Sequence, residues 1–182
     1  MRLSDAIQAK LGVPSLLLGL LLGACIMILT GCATPSRKAT THNLAIIQRY
    51  FAEWANQGSL RAADELIAAD VTLRHPHVTL QGREAYKQSM AGFRRGFPDL
   101  HFQIEDQLIQ QDKILVRWTL SGTQNGAFQN HSPTGRRISI AGMSLFRIEH
   151  GKIREIWVNM DRLGMQEQLG FTPAQTSSPK TN

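Results

Sequence analysis

From Asn43 onward the apolar positions fall at helical spacing. Leu44, Ile47, Tyr50, Phe51 and Trp54 recur every three or four residues, and Gly58 offers a conformation that stops a helix. Ser59 is placed to cap a second, shorter helix with Leu60, Ala63, Leu66 and Ile67 turned inward. The period then changes to two. Val71, Leu73 and His75 alternate with Thr72 and Arg74 until Pro76 interrupts, which predicts a short strand whose inner face ends in a histidine. A third helix is predicted over 82–96, carrying Tyr86, Met90 and Phe93, and Phe97-Pro98-Asp99 ends it. Strand periodicity returns in Leu100, Phe102 and Ile104, then in Ile114, Val116, Trp118 and Leu120 after a Gln111-Asp112 turn. Ile138, Ile140, Gly142, Ser144 and Phe146 follow a loop rich in Asn, Gly, Ser and Pro at 124–135. The last hairpin turns at His150-Gly151, and its return strand, 153–161, leads into a short helix at 162–169. Helices first and four long, mainly antiparallel strands after them predict an α+β domain, its sheet strongly curved over the helices to enclose a pocket.

The N-terminus has a different pattern. Arg2 and Lys10 flank a polar start, and from Leu11 to Ser36 there is no charge; Leu11–Gly31 is dominated by Leu, Ile, Gly and Ala. A basic segment followed by an apolar run reads as an export signal or a membrane-spanning helix. The run ends in Leu29-Thr30-Gly31-Cys32, which resembles a bacterial lipoprotein box in which Cys32 is lipidated and becomes the first residue of the mature chain. Cys25, in Leu22-Gly23-Ala24-Cys25, is the alternative acceptor, and an uncleaved span is the other reading. The expected organisation is a signal or anchor over 1–31, a tether over 32–42, the folded domain over 43–171 and a polar, disordered tail over 172–182. This arrangement predicts a domain in the bacterial cell envelope, outside the cytoplasm and attached to a membrane.

Composition narrows the chemistry. The chain has 182 residues, 42% of them hydrophobic, which suits one domain and excludes wholesale disorder. Lys and Arg total 20 against 14 Asp and Glu, yet the basic residues are scattered and lack the aromatic interleaving of a nucleic-acid groove. Nucleic acid is therefore not an expected partner. Two cysteines cannot build a disulfide scaffold or a four-cysteine zinc site. His75-Pro76-His77 puts two imidazoles on one strand face, but two ligands do not make a metal site, and none is expected. No G-x-S-x-G, Walker A or G-x-G-x-x-G motif is present.

Several segments together carry a resemblance. They are R-Y-F-A-E-W-A-N-Q-G-S-L at 49–60, F-R-R-G-F-P-D-L at 93–100, D-K-I-L-V-R-W-T-L-S-G-T at 112–123, P-T-G-R-R at 133–137 and F-R-I-E-H-G-K-I-R-E-I-W-V-N-M-D-R-L-G-M-Q-E-Q-L-G at 146–170. In order and spacing they resemble the SnoaL-like polyketide cyclases, or ester cyclases, of the nuclear transport factor 2-like superfamily. The resemblance implies a cone-shaped α+β barrel, commonly dimeric, that binds a small apolar or carbonyl-containing molecule without cofactor or metal. It also implies proton removal from an activated carbon followed by intramolecular aldol closure, with Asp161 as general acid/base and His75 turned into the cavity. On an extended strand Trp157, Asn159 and Asp161 share one face, which would set the carboxylate beside an indole and an amide. Tyr50, Trp54 and Trp118 are candidate lining residues. The alternative for Asp161 is a helix cap or an ion pair with Arg162 or Arg147. For the whole protein, the alternatives are a non-catalytic ligand-binding cup and an envelope interaction module. One departure stands out: Phe128-Gln129-Asn130-His131-Ser132 occupies a loop where relatives usually carry a glycine and an apolar residue, so the ligand need not be a polyketide.

Overall fold

The structure, a computed structural model, describes residues 37–171. Cys25, Cys32 and the predicted signal, the first five residues of the tether and the tail lie outside the described residues. Helix α1 (Arg37–Arg49) begins within the stretch read as tether and continues without a break into π-helical turns over Tyr50–Asn56. The wider π turns let Tyr50, Phe51, Trp54 and Ala55 all face inward. Gly58, at φ 72°, ends the segment, and the Ser59 hydroxyl accepts the Ala62 N–H at 3.2 Å to start α2 (Leu60–Leu66). Leu60, expected inward, is 60% exposed, and Ile67 opens the first strand rather than closing the helix.

The strands are β1 (Ile67–His75), β2 (Val78–Gln81), β3 (His101–Gln110), β4 (Lys113–Thr123), β5 (Arg137–Glu149) and β6 (Lys152–Met160). Helix α3 (Arg83–Gly96) lies between β2 and β3, and α4 (Arg162–Leu169) follows β6. Strand β2 has no counterpart in the sequence pattern; it is short and mostly exposed, and exists through its pairing with β1.

The sheet corrects the barrel expectation. Its order is β2-β1-β6-β5-β4-β3, with β1 and β6 parallel and every other neighbouring pair antiparallel. Strands β2 and β3 stand at opposite ends and do not pair, so this is an open mixed sheet that neither closes into a cone-shaped barrel nor curls strongly. Strand β2 pairs only with β1 and β3 only with β4, so each leaves one edge without a strand partner. The pocket is instead made by laying α1 and α3 across one face of the sheet.

Alternation along β4 and β5 puts Ile114, Val116, Trp118, Leu120, Ile140 and Phe146 on that covered face. Helices and sheet are tied at defined points. The Asn56 side chain bonds the Phe102 backbone in both directions, at 3.0 and 2.7 Å, fixing α1 to β3. From α3, the Arg94 guanidinium donates to the carbonyls of Trp54 and Ala55, at the end of the π segment where backbone acceptors need partners.

Candidate functional site

Two connected chambers lie between the helices and the sheet. The inner one, about 80 Å³, is walled by Tyr50 and Phe51 of the π turns, Tyr86 and Met90 of α3, and Leu73, Phe102, Trp118, Ser144 and Val158 of the sheet. The outer one, about 250 Å³, is bounded by Val78, Leu80, Phe128, Gln129 and Arg162. His75, Ser89, Phe93 and Met160 belong to both, so the histidine stands at the junction.

Small residues on β5 make the inner chamber. Gly142 is opposite Trp118, and a Cβ there would run into the indole ring. The indole N–H instead donates to the buried Ser144 hydroxyl at 2.9 Å, which fixes the ring as part of the wall. Phe102 packs edge-on against Trp118 with centroids 5.2 Å apart.

Polar chemistry in this apolar wall is concentrated in one pair. The hydroxyls of Tyr50 and Tyr86 are hydrogen-bonded to each other, and each residue is 5% exposed. Burial pushes the Tyr50 phenol well above its ordinary pKa, with the neighbouring Tyr86 adding to the shift. Burial also raises Tyr86, against the opposing influence of the Tyr50 hydroxyl and then the Trp54 indole. Both phenols are thus held neutral. A hydroxyl pair shares one proton internally and keeps the second as a donor for another acceptor. Tyr86 was legible only as part of a helix face; its partnership with Tyr50 spans 36 residues of sequence.

His75 is partly buried, and its side chain makes no hydrogen bond to another described residue. Burial, and then the Arg162 guanidinium, hold its pKa below the ordinary histidine value, so the ring is neutral near pH 7. His77, two residues on, is exposed and lines neither chamber. Among the described residues no three His, Cys, Asp or Glu side chains converge on a point that could hold a metal ion.

Tyr50 and Trp118 line the inner chamber, while Trp54 is buried behind Tyr86, with ring centroids 5.9 Å apart. Strand β6 turns the opposite face from the one strict alternation predicts. Ile153 pairs with Ile148 and Glu155 with Arg147, so Arg154 is an extra residue that shifts the phase by one. Ile156, Val158 and Met160 consequently face the helices. Trp157 lies on the far side of the sheet, 5.5 Å from the Arg74 guanidinium and 5.8 Å from that of Arg147, and Asn159 is exposed. Asp161 is exposed and lines neither chamber; its carboxylate accepts the Gly164 N–H at 2.8 Å and caps α4.

One further group shapes the mouth. Gln124, wholly buried, donates to the carbonyls of Gly126 and Ser132 and accepts from the Thr134 N–H and hydroxyl, at 2.6–3.2 Å. This amide staples the loop that carries Phe128 and Gln129 to the outer chamber.

No curated protein matches the chain. Among solved structures, a SnoaL-like protein of Jannaschia sp. CCS1 superposes with a TM-score of 0.70 at 22% identity, over 78% of this chain and 100% of that one. TsrD of Streptomyces laurentii gives 0.65 at 28% identity, over 72% and 97%. A SnoaL-like polyketide cyclase of Agrobacterium tumefaciens strain C58 gives 0.59 at 21%, over 70% and 98%. The profile of the SnoaL-like polyketide cyclases matches residues 45–169, from the middle of α1 to the end of α4, and the chain belongs to that family.

Proposed function

We propose that the pocket binds a small apolar carbonyl compound and performs cofactor-free acid/base chemistry on it. The observation that carries this reading is the neutral Tyr50–Tyr86 pair facing the same apolar chamber as a neutral, unbonded His75. In this scheme the imidazole takes a proton from the carbon next to the carbonyl, and the carbonyl oxygen becomes an enolate that accepts the free phenolic hydrogen bond. The carbon–hydrogen electrons move into the enolate, which either closes on a second carbonyl, whose alkoxide oxygen then takes the proton back from the imidazolium, or is itself reprotonated at carbon by the imidazolium. Assigning the proton transfer to Asp161 would require its carboxylate to leave the α4 cap and cross to the other face of β6.

The test is α-deuterium exchange of a simple β-keto ester in D2O, followed by proton NMR with the full-length chain. Exchange above the buffer rate that falls in His75→Gln and persists in Asp161→Asn supports the His75 assignment. Loss in Asp161→Asn alone transfers the proton to Asp161. No exchange above buffer overturns catalysis on carbon acids and leaves a ligand-binding cup.

We also propose that this domain is attached to a membrane through a lipid on Cys32, on the strength of Leu29-Thr30-Gly31-Cys32 after an uncharged apolar run. Cys32→Ser should move the protein from the membrane to the soluble fraction of lysed cells, and an unchanged distribution refutes the lipid attachment.

A further inference from the structure

The chambers are lined by cationic and neutral groups only. Arg162, the first residue of α4, borders the outer chamber beside His75, and neither chamber has an Asp or Glu in its wall. Among the other described arginines, Arg49, Arg61, Arg74, Arg83, Arg137, Arg147 and Arg154 pair with carboxylates. The Arg162 side chain has no ion pair or hydrogen bond to any described residue. Its neighbour Asp161 turns away to the Gly164 N–H. A guanidinium is therefore held, partly shielded from solvent, at the rim of an apolar cavity with its donors unused.

The two chambers differ in kind. The inner one is small, apolar and walled by aromatic rings; at about 80 Å³ it is smaller than the ~150 Å³ apolar cavity that accommodates a benzene ring. A short alkyl or acyl end suits it better than a ring system. The outer one is wider and brings Ser89, Gln129, His75 and Arg162 to the same space. A molecule filling both would place its apolar end against Trp118 and its polar end at Arg162.

We propose that the ligand is an apolar monocarboxylate whose carboxylate is held by the Arg162 guanidinium while its hydrocarbon or acyl end occupies the inner chamber. The planar fork of a guanidinium matches two carboxylate oxygens, and one unpaired cation fits one negative charge. The inference rests on the two chambers being the ligand site, as in the function proposed above, and adds which end enters and what charge it carries.

The experiment compares octanoate with octanamide, which differ in charge but little in shape, by titrating each into the full-length chain and following ligand NMR signals. Octanoate is expected to bind about tenfold to a hundredfold more tightly, the usual effect of a hydrogen-bonded charge. In Arg162→Gln, octanoate should fall to the octanamide level while octanamide affinity is unchanged, which also shows that the variant is folded. Equal affinities in the wild type overturn the carboxylate site and leave the pocket reading intact. A preference for octanoate that survives Arg162→Gln places the anion elsewhere and also overturns it. If neither compound binds at millimolar concentration, the carboxylate site and the pocket reading fall together.

Discussion

Replacing Tyr50 or Tyr86 by Phe removes one hydroxyl from a pair that has little access to water. The two side chains bond each other, and each residue is 5% exposed. A single substitution deletes the hydrogen bond and strands the surviving hydroxyl in an apolar wall, which costs about 1–3 kcal/mol. The double substitution strands nothing in the pair: it loses the bond, a net of about 1 kcal/mol, and leaves two rings that still pack. Tyr50→Phe/Tyr86→Phe should therefore be no less stable than either single variant, and the double-mutant cycle should show a coupling of at least about 1 kcal/mol. Urea unfolding of the four proteins, followed by far-UV circular dichroism, measures this directly. If the cost of the double variant equals the sum of the singles, the hydroxyls are satisfied independently, and the paired-donor reasoning fails.

The chain has only two tyrosines, so absorbance near 295 nm reports this pair alone; no phenolate signal should grow at pH 10, the ordinary value, while the protein is folded. Because the folded-state values are raised, the stability they contribute is intact below pH 10 and declines as pH rises beyond it, which alkaline melting curves would show. His75 has the opposite sign: its value is lowered in the fold, so stability should fall as pH drops below 6.5, where the unfolded chain takes up the proton first. That pH dependence should disappear in His75→Gln. Gly142→Ala should push Trp118 off the wall, with a cost of about 1–3 kcal/mol and loss of ligand binding; unchanged tryptophan fluorescence and binding would refute the role given to Gly142. Asp161→Ala should lower stability by about 0.5–2 kcal/mol through loss of the α4 cap, and Asp161→Asn by much less, both read by thermal melting.

Much of the fold is written in the chain because its periods are clean. The α3 face of Tyr86, Met90 and Phe93, the β4 alternation and the His150-Gly151 turn all need only local spacing. The facing of β6 does not, since the extra residue at Arg154 is defined only by pairing with β5. One unpaired residue was enough to send Trp157 to the far side of the sheet and bring Val158 and Met160 to the pocket. Strand β2 is similarly invisible, because an exposed four-residue edge has no apolar alternation to betray it. His75, Tyr50 and Trp118 could be picked out as inward-facing residues, whereas the Tyr50–Tyr86 bond and the free Arg162 depend on how distant elements meet. Sheet closure was an inference from resemblance, not from pattern, and the pairing order overruled it.

The stapling of the 124–136 loop by Gln124 separates two things that loops usually combine. Its position is set by a side chain with no contact to the cavity, while Phe128 and Gln129 alone meet the outer chamber. The entrance is therefore framed before any ligand arrives, and a ligand need not supply the free energy of ordering it. The same division lets evolution exchange residues at the rim without dismantling the frame. A family member could change what it admits through positions such as 129 while conserving the amide that keeps the doorway in place.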